Sequence, residues 1–143
     1  AMLVTAIHRL DGETQVSGVS EFTDVPADTW YTDAVIWAAE NGIVGGYGDG
    51  RFGPGDDVTR EQLAAILFRY ANFKGKGPVG LWAVELTYPD KTLISDYAVE
   101  PAMWCQIHGI VEGFEDGSFA PQGLATRAEV ATMLARYMAK FAE

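Results

Sequence analysis

The sequence predicts an all-α protein built from tandem helix–loop–helix repeats, and three observations carry that expectation. The chain matches itself at an offset of 67: over 42–70 against 109–137, 14 of 29 positions are identical with no gap, where chance would give about two. Each copy contains a Thr-Arg pair, Thr59-Arg60 and Thr126-Arg127, with Gln62 and Glu129 three residues after the Thr, which is the spacing of a helix-starting capping box. Behind each start runs an apolar stripe at helical spacing. It comprises Leu63, Ile66, Leu67 and Tyr70, matched by Val130, Met133, Leu134 and Tyr137.

Taken in order, residues 1–12 read as the C-terminal helix of a truncated first repeat. At an offset of 60, Leu3, Ile7, Arg9 and Leu10 fall on Leu63, Leu67, Arg69 and Tyr70. Leu3, Ala6, Ile7 and Leu10 form the same stripe, left exposed unless something covers it. A complete repeat follows over 20–72. Its first helix is expected to start from a cap at Asp28 or Thr29 and to present Ala34, Trp37 and Ala38 on one face. Asn41-Gly42 ends that helix, because Gly takes the left-handed position after a helix without steric cost. Ile43 and Val44 clip back onto it. The segment 45–54 is dense in turn residues, Asp49-Gly50 among them, and Phe52 is expected to plug this loop into the core.

Residues 73–86 read as a linker rich in Gly and Lys, ending in an apolar segment with Leu81, Trp82, Val84 and Leu86. The second complete repeat spans 87–143. There Trp104 stands at the place of Trp37, Tyr97 at that of Trp30, and Pro101 in the first turn of its helix, where a missing amide is harmless. One unit of about 55 residues cannot bury its own apolar face well, whereas stacked units can.

Composition narrows the function. The 143 residues carry 10 Lys+Arg against 20 Asp+Glu, a net charge of −10. That excludes a phosphate-backbone binder, which needs clustered cations, so no nucleic-acid partner is expected. No apolar run approaches the roughly 18–20 residues that span a bilayer, so no membrane insertion is expected. The lone Cys105 reads as a small buried hydrophobe. His8 and His108 stand apart from other ligand types, and the acidic residues Asp49, Asp56 and Asp57 lack the ligand order of an EF-hand. No metal or cofactor is expected. No nucleophile–base pair or paired carboxylates stand out, so the chain does not read as an enzyme.

These residues resemble the S-layer homology (SLH) family. Its pattern runs Phe-x-Asp-Val-x-x-x-x-Trp, a helix ending Gly-Ile-Val/Ile-x-Gly, a Gly-Asp-Gly-x-Phe-x-Pro loop and a Thr-Arg-Ala-Glu helix start. Phe22, Asp24, Val25, Trp30, Gly42, Ile43, Gly46, Asp49, Gly50, Phe52, Pro54, Thr59 and Arg60 fit it. So do Asp90, Tyr97, Gly109, Ile110, Gly113, Asp116, Gly117, Phe119, Pro121, Thr126, Arg127, Ala128 and Glu129. The first complete repeat departs with Thr-Arg-Glu-Gln, and the second has Tyr97 in place of Trp.

The resemblance implies that three SLH units form a pseudo-threefold spindle with the second helices at its centre. It also implies localisation at the bacterial cell surface, where the domain anchors an exported protein to an anionic, pyruvylated secondary cell-wall polysaccharide. The site residues it implies are Arg60 and Arg127 for the anion, Trp30 and Tyr97 for stacking on sugar rings, and Gly46 and Gly113 where the polymer approaches the backbone. Arg60 and Arg127 stand at helix starts, where unpaired amides and the helix dipole favour an anion. Three of these residues have a second reading: a structural pair with a carboxylate such as Glu61 or Glu129 for Arg60 and Arg127, and a core role for Trp30. Arg69 and Arg136 recur as well, late in their helices. The alternative function is a structural or protein-interaction repeat used in surface-layer assembly without glycan binding. Self-association through the truncated first repeat is the partner expected under it.

Overall fold

Caps and stripes place the helices much as the sequence directs. The computed structural model describes residues 2–12, 16, 20, 22–45, 50–53, 58–75, 86–110 and 118–141, apart from the side chains of Met2 and Arg127. The described residues form five α-helices and no strand: α1 Met2–Leu10, α2 Thr32–Glu40, α3 Arg60–Phe73, α4 Val99–Ile107 and α5 Arg127–Phe141. Two short 3-10 turns, Lys91–Leu93 and Asp96–Ala98, precede α4. The linker residues 76–85 lie outside the described residues, so Leu81, Trp82 and Val84 are not placed.

α2 and α4 close with the same device. Gly42 and Gly109 take φ of 71° and 66°. The Gly42 amide donates to Ala39 O at 3.2 Å and the Ile43 amide to Ala38 O at 2.8 Å; Gly109 and Ile110 repeat the pair on Gln106 and Cys105 at 3.3 and 2.9 Å. This is a Schellman motif, which satisfies two helix-end carbonyls and turns the chain back. Ile43 and Ile110 are fully buried by it.

The start of α2 differs from expectation. The helix begins at Thr32, its N-cap Tyr31 makes no side-chain cap, and Asp28 sits at a left-handed φ of 62°. Thr32 Oγ1 donates to Pro26 O at 2.8 Å and accepts from the Thr29 amide at 2.9 Å. A threonine inside the first turn thus ties down the residues before it and leaves Trp30 outside the helix. Pro101 does lie in the first turn of α4 and is buried.

The chain divides into two compact units, 1–56 and 57–143. In the first, α1 packs on α2. The α1 stripe is covered, with Leu3 at 4% and Ile7 at 0% exposure, which removes the open apolar face that motivated self-association. His8 lies against Trp37, ring centres 5.0 Å apart. In the second unit α3 packs on α4, burying Leu63, Ala64, Leu67, Phe68 and Ala71 with Ala102, Trp104 and Cys105. α5 adds Val130, Met133 and Tyr137, and Tyr137 meets Tyr70 at 5.8 Å. Trp104 stacks on Phe141 at 5.8 Å with planes 3° apart. The boundary falls inside the first complete repeat, so its two helices lie in different units, α2 with α1 and α3 with α4 and α5.

Candidate functional site

The first turn of α3 is the centre of a dense hydrogen-bonded arrangement. Its capping box is complete: the Gln62 amide donates to Thr59 Oγ1 at 3.2 Å, and the Thr59 amide to Gln62 Oε1 at 3.0 Å. The next two amides are also taken. Arg60 N donates to Gly123 O at 2.9 Å and Glu61 N to Pro121 O at 3.1 Å. Ala125 N returns a bond to Val58 O at 2.7 Å, and Thr59 forms an isolated antiparallel bridge with Leu124. The Thr-Arg start of one repeat is therefore docked on the loop of the next. The open amides expected beside Arg60 are not present in the structure, because carbonyls of the second repeat fill them.

The Arg60 side chain continues that docking. It is 7% exposed. Its Nε donates to Phe119 O at 2.6 Å, and Nη1 pairs with Glu129 Oε2. Of the two readings of Arg60, the pair with Glu129 is thus present, across to the helix start of the next repeat. Glu129 Oε1 accepts from the Thr126 hydroxyl at 3.3 Å, which in turn accepts from the Glu129 amide at 3.1 Å. Arg127 is the first residue of α5; its side chain, like Gly46 and Gly113, lies outside the described residues.

The two stacking candidates face outward. Trp30 is 66% and Tyr97 49% exposed, whereas Trp37 and Trp104 are buried at 2% and 0%. Tyr31 supports Trp30 edge-on at 5.1 Å. The Tyr97 hydroxyl lies 3.4 Å from Glu61 Oε1, and partial burial of the phenol, followed by the Glu61 charge, raises its pKa. Arg69 is exposed on α3, while Arg136 Nη1 donates to Ile110 O at 3.2 Å, tying α5 to the α4 end.

Two features escaped sequence reasoning. Asp24 receives the Phe52 and Gly53 amides on its two carboxylate oxygens, both at 2.8 Å, and Asp90 receives those of Phe119 and Ala120 at 2.8 and 2.7 Å. Each acid clamps its repeat's loop. The aromatic residue two places before it, Phe22 or Tyr88, meets the loop Phe at 5.4 or 5.0 Å. Phe119 is fully buried by this arrangement and Phe52 only partly. Glu61 is the second: 3% exposed, it stands where the second repeat has Ala128.

The S-layer homology domain model matches residues 21–64 and 87–131. The chain belongs to the S-layer homology domain family. It is 37% identical over 116 residues to an amylopullulanase of Thermoanaerobacterium thermosulfurigenes, an alignment covering 80% of this chain and 6% of that protein. It is 28% identical over 127 residues to the surface-layer 125 kDa protein of Lysinibacillus sphaericus, covering 87% and 10%. To the cellulosome-anchoring protein of Acetivibrio thermocellus it is 27% identical over 122 residues, covering 80% and 25%. The chain thus spans a quarter or less of each of these proteins. In SLH terms, the structure accounts for the motif's Asp as a loop clamp, for its Phe as the clamped plug, and for the first repeat's Arg as a tie to the second. Among the described residues no group of three or more His, Cys, Asp or Glu could hold a metal ion, and no helix is long and apolar enough to cross a membrane. Burial pushes the Cys105 thiol well above its ordinary pKa, so it is chemically quiet.

Proposed function

We propose that this chain is a non-catalytic module anchoring an exported bacterial protein to the cell wall, by holding an anionic secondary wall polysaccharide that bears pyruvate ketals. The family match supports the anchoring role, as do relatives whose names are surface-layer and cellulosome-anchoring proteins. That an enzyme of unrelated purpose shares only a 6% stretch fits a module common to proteins of different chemistry.

The exposure of Trp30 and Tyr97 at one repeat position carries this reading. A repeated, outward aromatic offers an apolar face on which a sugar ring stacks while its hydroxyls stay wet. Arg127 at the head of α5 supplies a guanidinium for the ketal carboxylate, aided by the helix dipole. Gly46 and Gly113 let the polymer approach the backbone. Arg60, buried and paired, contributes by fixing the loop of the second repeat. With a net charge of −10, binding of an anionic polymer must be local, because the field of the whole opposes it.

Sedimentation with purified wall sacculi tests this. The chain should pellet with intact sacculi and stay in solution with sacculi stripped of their secondary polymer. Equal pelleting with both would set the proposal aside, and concentration-dependent self-association without wall binding would favour an assembly repeat instead.

A further inference from the structure

In the first complete repeat the helix start carries Glu61 where the family pattern has Ala, and in the second the outward ring is Tyr97 where it has Trp. The fold brings these two departures together. The Glu61 carboxylate is buried at 3% exposure and gathers four donors. Ser95 N donates at 2.9 Å and Ser95 Oγ at 2.7 Å, Gln122 Nε2 at 3.1 Å, and the Tyr97 hydroxyl more loosely at 3.4 Å. Gln122 Nε2 also reaches Leu93 O at 3.4 Å.

These contacts have a direction. Ser95 opens the short turn Asp96–Ala98 that carries Tyr97, yet its side chain makes no cap on that turn; the hydroxyl is spent on Glu61 instead. The carboxylate therefore holds the turn at its first residue by main chain and side chain, and holds the ring at its far end by the hydroxyl. A buried anion needs such saturation by donors, and its place in the first turn of α3 is electrostatically favourable. At the equivalent place in α5, Ala128 is exposed, so nothing of the kind is built there.

We propose that Glu61 is a positioning residue for ligand binding by the second repeat, holding the turn and hydroxyl of Tyr97 on one buried carboxylate, so that Glu61 and Tyr97 are a paired departure from Ala and Trp. The phenol ring is tethered through its hydroxyl, a contact for which an indole at this place has no counterpart atom. The inference rests on Tyr97 serving as a sugar platform.

The test uses the whole chain and wall sacculi with their secondary polymer intact, reading the dissociation constant of Tyr97→Ala, Tyr97→Phe, Glu61→Ala and the double variant Glu61→Ala/Tyr97→Trp. Losing the ring in Tyr97→Ala should weaken binding about tenfold. Tyr97→Phe keeps the ring and the fold, and it should weaken binding about threefold, as should Glu61→Ala. The double variant should recover to within about twofold of the native chain, as expected of a coupled pair. A readout without ligand is the Tyr97 phenol, which should titrate lower in Glu61→Ala. If Tyr97→Ala binds weakly while Tyr97→Phe and Glu61→Ala bind as the native chain does, the positioning role is overturned and the platform stands. If Tyr97→Ala itself binds as the native chain does, the platform fails and the inference with it. A double variant no better than Glu61→Ala overturns the pairing.

Discussion

At the residue scale, one carboxylate ahead of each repeat's first helix holds the loop that follows that helix. Asp90 accepts two amides, so Asp90→Ala should destabilise the chain by about 2 kcal/mol in denaturant unfolding, the cost of orphaning two donors. The Asp24 carboxyl is held below its ordinary value of 3.8, foremost by the Phe52 amide. A lowered carboxyl stabilises the fold above that value, and the contribution is lost as pH falls through the lower folded value. The melting-temperature gap between the native chain and Asp24→Asn should therefore be widest at neutral pH and close below pH 3.8. Ala120 takes φ of 52° where the first repeat has Gly53 at 76°. Ala120→Gly should raise stability by roughly 1 kcal/mol, since left-handed backbone costs an L residue about that much. For the pair of buried Arg60 with half-buried Glu129, Glu129→Ala should cost about 3 kcal/mol by leaving the buried guanidinium unpaired, and the double Arg60→Ala/Glu129→Ala less than the sum of the singles.

At the element scale, what was legible was local. The capping box of α3, the glycines after α2 and α4 and the apolar stripes lie within a few residues of what they control, so Thr59, Gly42, Gly109, Leu63 and Met133 were readable directly. The Cβ of an alanine at 42 or 109 would meet nothing within 4 Å. The cost of Gly42→Ala or Gly109→Ala should thus be conformational, about 1 kcal/mol each by thermal unfolding. What was not legible depends on reach. Thr32 ties back six residues to Pro26, which displaces the helix start and puts Trp30 in solvent rather than in the core. The Asp clamps hid because Asp24 lies 28 residues from Phe52 and Asp90 lies 29 from Phe119, so a single offset cannot align both ends. The burial of Glu61 follows from two distant segments meeting it, Ser95–Tyr97 and Gln122, and no spacing rule announces that.

At the scale of the whole molecule, repeat and compact unit are out of phase. The division after residue 56 pairs α1 with α2 and α3 with α4. A fragment 57–143 should therefore fold cooperatively by circular dichroism and melting, whereas 20–72, a full sequence repeat, should not, since α2 and α3 would each lose the helix they pack on. The net charge of −10 bears at the same scale: an anionic polymer is held only if its carboxylates meet a local cation, the role proposed for Arg127. The most direct measurement is titration calorimetry of the whole chain with the purified wall polysaccharide, before and after chemical removal of its ketals. Saturable binding that weakens at least about tenfold without the ketals, the loss of a charge-assisted bidentate contact, is the predicted result. Equal affinity for both forms, or none for either, would contradict it.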